Sequence, residues 1–259
     1  MLRHERLAAV LDLLADRGAL SVEQIAGEFA VSEATVRRDL DELAEQRLLS
    51  RTRGGAVLQS VSYDLPLRYK TARQHEEKQR IAAKAATMVS QGWVVGLNGG
   101  TTTTAVAREL ALRSDANGNR SSQLTVVTNA LNIANELAVR PHIKLVVPGG
   151  IARAQSYELI GGLTRRGLAD LTMDVMFLGV NAIGAAGAAA SDEGEAEVNR
   201  VMVQHARQVV AVADSSKLNG HAFWKICDLA SIHSLVTDSG ADPAVVAQLR
   251  AAGVVVEAA

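Results

Sequence analysis

The residue run with the clearest chemical capacity is Asn98-Gly99-Gly100 followed by four threonines, Thr101 to Thr104. Trp93 to Leu97 before it reads as a buried strand, and a helical pattern carrying Val106 and Leu110 follows it. A strand that feeds a glycine-rich turn opening a helix presents unpaired backbone N–H groups and the positive end of the helix dipole at one point. The glycines let a ligand approach the backbone, and the threonine hydroxyls add donors, so the pattern suits an anion and most simply a phosphate. The same pattern also describes an ordinary strand-to-helix turn.

Further polar residues fall where other strands are predicted to end. They are Asn129 after Leu124–Thr128, Gly149, Gly150 and Arg153 after Ile143–Val147, Asn181 after Val175–Val180, and Asp214 to Lys217 after Val209–Ala213. Glycine and threonine donors with Arg153 and Lys217 suit a phosphate, while Asn129, Asn181 and Asp214 suit the hydroxyls of a sugar or polyol. Each has a plainer use: an Asp at a strand end caps a helix, and a Lys is solvated. The acidic run Asp192, Glu193, Glu195 and Glu197 favours the dipole at a helix start, the alternative being that one of them lines the pocket.

Strands and helices alternate around these positions. Helices are predicted from Glu76 up to Gly92, which lies past the end (with Ile81, Ala85, Met88 and Val89 inward), over Asn129–Val139, around Thr164–Leu171, over Glu195–Ala206 and over Pro243–Ala251. Short strands are added at Leu235–Thr237 and Val254–Glu257, and Ala185–Ala190 reads as a mobile small-residue loop. This order predicts an α/β class, Rossmann-like, with an open, mostly parallel sheet covered on both faces. Ligands in such sheets sit at the carboxyl ends of the strands, where the strand order reverses.

The first 58 residues follow a different plan. Leu7, Val10, Leu11 and Leu14 repeat at helical spacing before Gly18. Ser21 to Gln24 fits a capping box opening a second, short helix. Ser32 caps a third, Glu33 to about Gln46, with Val36, Leu40 and Leu43 inward. Leu48–Ser50 and Ala56–Leu58 pair as a ribbon around Thr52-Arg53-Gly54-Gly55. Three short helices and a ribbon describe a winged helix-turn-helix, whose third helix enters the major groove. Ser32, Thr35, Arg37 and Arg38 occupy its leading turns, with Arg51 and Arg53 on the wing, near phosphate or in the minor groove. Residues 1–58 hold more acidic than basic side chains, so the attraction to DNA must come from one face. The predicted organisation is residues 1–58 for DNA binding, 59–75 as linker and 76–259 as an α/β effector-sensing domain.

Composition sets outer bounds. The chain has 259 residues, 48% hydrophobic and 21% charged, with net charge −1, which excludes wholesale disorder and a global basic field. Its one cysteine, Cys227, has no partner for an internal disulfide, and the six histidines form no HxxxH or HxH pair, so neither a metal nor another cofactor is expected. The start has no signal-peptide pattern, and no stretch is apolar enough to span a bilayer, so a cytoplasmic protein is expected.

The segments VSEATVRRDLDELAEQRLLSRTRGGAV, GGTTTTAVAREL, LTVVTNALNIANEL, PGGIAR, DVMFLGV, EAEVNRVMV and DSSKL together resemble the DeoR family of bacterial transcriptional regulators. That resemblance runs over nearly the whole chain. It implies a repressor of a carbohydrate or polyol catabolic operon, released by a phosphorylated sugar, with a sensor fold related to sugar-phosphate isomerases. It places DNA-reading positions on Ser32, Thr35, Arg37, Arg38 and Arg51, and effector positions on Gly100, Thr101, Thr102, Thr103, Asn129, Gly149, Gly150, Arg153, Asp214 and Lys217. The chain departs from the family pattern at Asn98, where Asp is usual, at Arg53 for a wing histidine, at Asn181-Ala182, and in a longer Arg113–Gln123 loop. The Asn98 exchange is expected to remove a charge from the pocket mouth.

The expected partners are double-stranded operator DNA, a phosphorylated sugar or polyol and further copies of the chain, as a homodimer or homotetramer, with no membrane. The rival class is an isomerase or deaminase with a DNA-binding appendage, using Asp214, Lys217 or Glu195 as acid or base. The spacing does not assemble a base with its orienting partner.

Overall fold

The computed structural model describes residues 2–46, 48–58, 67, 74–116 and 124–259. The chain divides into two compact units, Met1–Arg73 and Gln74–Ala259. Most of the expected linker and the end of the Arg113–Gln123 loop lie outside the described residues.

In the first unit, α1 (Arg3–Arg17), α2 (Val22–Phe29) and α3 (Glu33–Glu45) bury Leu7, Leu11, Leu14, Ile25, Val36, Leu40 and Leu43 against one another. Ser21 caps α2 through the reciprocal bonds of a capping box with Gln24. The ribbon forms from β2 (Leu49–Thr52) and β3 (Gly55–Leu58), and a strand not expected from sequence, β1 (Ala19–Ser21), pairs with the other edge of β3. Three residues are too few for a period of two to show. Gly55 is required where β1 crosses: a Cβ there would stand 1.9 Å from the Leu20 carbonyl oxygen.

The second unit is built on seven parallel strands in the order β15-β14-β12-β9-β4-β5-β6. These are β4 (Val94–Leu97), β5 (Leu124–Thr128), β6 (Ile143–Val146), β9 (Met173–Gly179), β12 (Ala206–Val212), β14 (Ser234–Thr237) and β15 (Val255–Ala258). Alternate residues serve opposite faces. Val175, Phe177, Val210 and Val212 pack with Ile81, Val106, Leu110 and Ile133 of α4 (His75–Ala86), α5 (Thr101–Ala116) and α6 (Leu131–Leu137). Met176, Leu178, Val209 and Ala211 pack with Leu168, Val198, Met202 and Leu249 of α7 (Gly162–Leu168), α8 (Glu193–Gln204) and α9 (Pro243–Ala251). Helix α4 stops at Ala86, short of the expected end, although Met88 and Val89 still pack on the core. The chain leaves central β4 through β5 and β6, then returns to the other side of β4 as β9. The strand order therefore reverses between β4 and β9, where a ligand crevice forms in this class of sheet.

Ala185–Ala190 is not a loop. Its last four residues are β11 (Gly187–Ala190), between β10 (Ala182–Gly184) and β13 (Trp224–Cys227), with Ala188 and Ala190 buried. Small side chains are what that close-packed position admits: a Cβ on Gly187 would lie 2.1 Å from the Cys227 carbonyl oxygen. Two short strands, β7 (Ile151–Ala152) and β8 (Leu159–Ile160), form a hairpin that the sequence did not disclose.

Candidate effector pocket and DNA-reading face

At the reversal point, the Asn98 side chain bridges the ends of β4 and β9. Its Nδ2 donates to the Gly179 carbonyl at 2.9 Å, and its Oδ1 accepts the Gly179 N–H at 2.8 Å. The side chain is buried, so residue 98 is a clamp between strands and does not stand at a pocket mouth. An aspartate could not both donate and accept in this way while ionised.

The turn beyond needs Gly100, at φ 134°, to enter α5. Thr103 Oγ1 and Thr104 Oγ1 donate back to the Gly100 carbonyl, at 3.1 and 2.6 Å. Their hydroxyls hold the turn and are spent on it. Those of Thr101 and Thr102 have no hydrogen-bond partner among the described residues, so the donors left for an anion sit in the first two positions of the helix.

The β7–β8 hairpin is stitched to the end of β5. The Leu159 N–H donates to the Asn129 carbonyl at 2.7 Å, and the Leu131 N–H to the Tyr157 carbonyl at 2.8 Å. Asn129 is buried, and its Nδ2 donates to Glu158 Oε2 at 3.0 Å and to the Leu159 carbonyl at 3.1 Å. Asn129 Oδ1 is buried with no partner among the described residues. Glu158, 3% exposed, lies directly over Gly99, where a Cβ would come within 2.3 Å of its Cγ. Burial pushes the Glu158 carboxyl up to about 8. Repulsion from Glu195 adds to this, while Asn129, the Gly99 N–H and Arg153 pull the other way.

Arg153 does not stand open. Its Nε donates to Asp192 Oδ2 at 3.0 Å and its Nη1 to Glu195 Oε1 at 3.1 Å. Asp192 also caps α8 by accepting the Glu195 N–H. Gly149 and Gly150 wrap the Thr164 hydroxyl, which donates to the carbonyls of Gly149 and Ile160 at 2.9 and 3.0 Å. A Cβ on Gly150 would strike Thr164 Oγ1 at 1.9 Å. The buried Asp214 carboxylate accepts the Ser216 N–H at 3.2 Å and also bonds the Ser216 hydroxyl, capping the 3-10 turn Ser215–Lys217. Lys217, at the end of that turn, is half-buried.

The structure thus groups Gly100 to Thr103 and Asn129, with Arg153 reaching them through Glu158. Gly149, Gly150, Asp214 and Lys217 sit at the ends of other strands. Glu158 was missed because Ser156-Tyr157-Glu158 has no period and no motif. Its only sequence trace is Gly99, a side-chain gap whose occupant is 59 positions away by the numbering.

In the first unit, Ser32 Oγ accepts the Thr35 N–H at 3.2 Å and shares a hydrogen bond with the Thr35 hydroxyl at 2.9 Å. Arg37 pairs with Glu33 one turn back at 2.6 Å. Arg38 is exposed, has no partner among the described residues, and lines a cleft with Arg3, Arg6, Thr35 and Asp39. Arg51 reaches α3 through Asp41 at 3.1 Å, and Arg53 is exposed at the hairpin turn. Asp39, unsuspected from sequence, is buried and held by Arg6 Nε at 2.6 Å and Nη2 at 3.3 Å, which fixes α3 on α1. That hydrogen bond raises the Arg6 guanidinium above its ordinary value.

Residues 6–61 match the DeoR-like helix-turn-helix domain, and residues 73–239 match the DeoR C terminal sensor domain. The chain belongs to the DeoR family. Among DeoR-family relatives, it is 33% identical over 240 residues to the glycerol-3-phosphate regulon repressor of Escherichia coli (strain K12), covering 92% of each chain. It is 35% identical over 241 residues to the HTH-type transcriptional repressor GlcR of Bacillus subtilis (strain 168), covering 92% of this chain and 89% of that one. Among solved structures, ribose 5-phosphate isomerase A from Methanocaldococcus jannaschii aligns with 56% of this chain and 55% of its own, at 20% identity and TM-score 0.42. In this DeoR-family chain the winged helix-turn-helix is joined to an α/β sensor domain whose main seven-stranded sheet is parallel. No described helix is long and apolar enough to cross a membrane.

Proposed function

We propose that this protein represses a carbohydrate or polyol catabolic operon and lets go of its operator when a phosphorylated sugar or polyol binds the sensor domain. The observation that carries the reading is the Gly100–Thr102 turn. It lies at the strand-order reversal, with the Thr101 and Thr102 hydroxyls unspent at a helix start, in a chain whose helix-turn-helix keeps Arg38 exposed. Ser32, Thr35, Arg37, Arg38, Arg51 and Arg53 read or approach DNA. Gly100 to Thr103 and Asn129 form the heart of the effector site, and Gly149, Gly150, Arg153, Asp214 and Lys217 form its outer ring. The protein works in the cytoplasm as a homodimer or homotetramer, because helix-turn-helix proteins read two-fold operators as symmetric pairs. The named repressors among the relatives support this reading, and the regulon of the Escherichia coli relative makes glycerol 3-phosphate the first effector to try.

Binding rather than turnover is favoured by how the candidate acid and base residues are engaged. Of the three candidates, Asp214 is committed to its cap and Glu195 to Arg153, which leaves Lys217 without an engaged acid or base beside it. The reading is tested by retaining sheared DNA of the source organism on the purified protein, then adding phosphorylated sugars beside their unphosphorylated parents. Fragments sharing a two-fold sequence should be retained, and one phosphorylated compound should release them. Retention that no phosphorylated compound relieves would contradict the proposed signal.

A further inference from the structure

The Glu158 carboxyl lies at the head of the Gly-Thr turn. It covers Gly99 and is buried among Asn129, Gly99 and the Arg153–Glu195 pair. The charged groups facing it are Glu195 and Arg153, and Asp192 takes part of the charge of Arg153. Beside it, Asn129 Oδ1 is a buried acceptor without a partner among the described residues. A phosphate dianion at Gly100–Thr102 would therefore stand close to a carboxyl that is itself shielded from water. There, two negative charges repel far more strongly than in bulk water.

We propose that Glu158 is an internal competitor and specificity residue of the effector site: an oxyanion binds the Gly-Thr turn fully only when the Glu158 carboxyl is neutral. This inference rests on the phosphate reading of that turn and adds its regulation. With the carboxyl neutral, the anion gains the helix start and the Thr101 and Thr102 hydroxyls without facing a buried charge. With the carboxyl ionised, the turn already holds an anion of its own. The site therefore admits dianionic ligands only while one side chain is protonated, and it closes to them at alkaline pH.

Sulfate is the probe for the test, because it remains a dianion throughout the pH range used. Calorimetric titration of the full chain is run at pH 7 and pH 9, on the parent protein and on Glu158→Gln, which keeps the size of the side chain. With the carboxyl titrating at about 8, the competent fraction falls from about nine-tenths to about one-tenth, so the parent's affinity should drop by about tenfold. Glu158→Gln should bind equally at both pH values, and about tenfold more tightly than the parent at pH 9. Parent affinity that does not change with pH would overturn the proposal even if the variant does not fold. So would an unchanged pH dependence in a folded Glu158→Gln. Sulfate binding that is absent from both proteins at both pH values would overturn the phosphate reading as well, whereas pH-independent binding would overturn only the role of Glu158.

Discussion

At the scale of single residues, the two candidate sites differ in which groups are committed. On α3, Arg37 is paired with Glu33 and Arg51 with Asp41, while Arg38 is exposed beside Thr35. Arg38→Ala is therefore expected to weaken operator binding by about 1–3 kcal/mol, the worth of one good arginine–base contact, with effector binding intact. Gel-shift titration at fixed salt checks this. On the effector side, Thr102→Val removes an uncommitted hydroxyl and preserves shape. Losing one bond to a charged ligand costs about 1.5–3 kcal/mol, so the variant should need roughly ten- to a hundredfold more effector for release and should stay on its operator. Asp39→Ala removes the carboxylate that Arg6 holds, and losing a hydrogen bond between charged groups costs about 1.5–3 kcal/mol. Chemical denaturation should show that loss in the first unit.

At the scale of elements, the wing depends on a backbone approach. Gly55→Val would drive a side chain into the Leu20 carbonyl, separating β1 from β3. Operator affinity should fall while effector binding by the sensor domain is unchanged, a contrast that paired titrations would reveal. Elements with a strong period were legible in the sequence: α1 and α3 through their leucine stripes, β5 and β12 as apolar runs, and α9 through Asp242 and Pro243 at its start. The elements that escaped lack such a signal. Strand β11 is glycine and alanine, so its burial comes from its neighbours, and β7–β8 has two residues a side. The candidate site divides in the same way. The Gly-Thr turn could be read because its chemistry is local, whereas Glu158 and the Asn98–Gly179 clamp join residues 59 and 81 positions apart in the numbering and show only once the sheet is assembled.

At the scale of the molecule, the sensor domain carries a proton-linked cost in its interior. The Glu158 carboxyl moves from an ordinary 4.5 to about 8 on folding, chiefly through burial. The folded state therefore holds this proton more tightly than the unfolded chain does. The stabilisation is complete below about pH 4.5 and is lost as pH rises through about 8. Between pH 5 and pH 9 the melting temperature of the parent should fall more steeply than that of Glu158→Gln, and parallel curves would contradict the burial argument. The proposed function joins these scales in a DeoR-family chain whose sensor domain would recognise a phosphorylated sugar or polyol. Its most direct test is a thermal melt of the purified protein against sugar and polyol phosphates, glycerol 3-phosphate first, each beside its unphosphorylated parent. A ligand at 100 times its dissociation constant adds about 2.7 kcal/mol, worth several degrees. One phosphorylated compound should shift the melt, its unphosphorylated parent should not, and in Thr102→Val the shift should fall to about half or less. A shift produced equally by the unphosphorylated parent, or one undiminished in Thr102→Val, would contradict the phosphate reading.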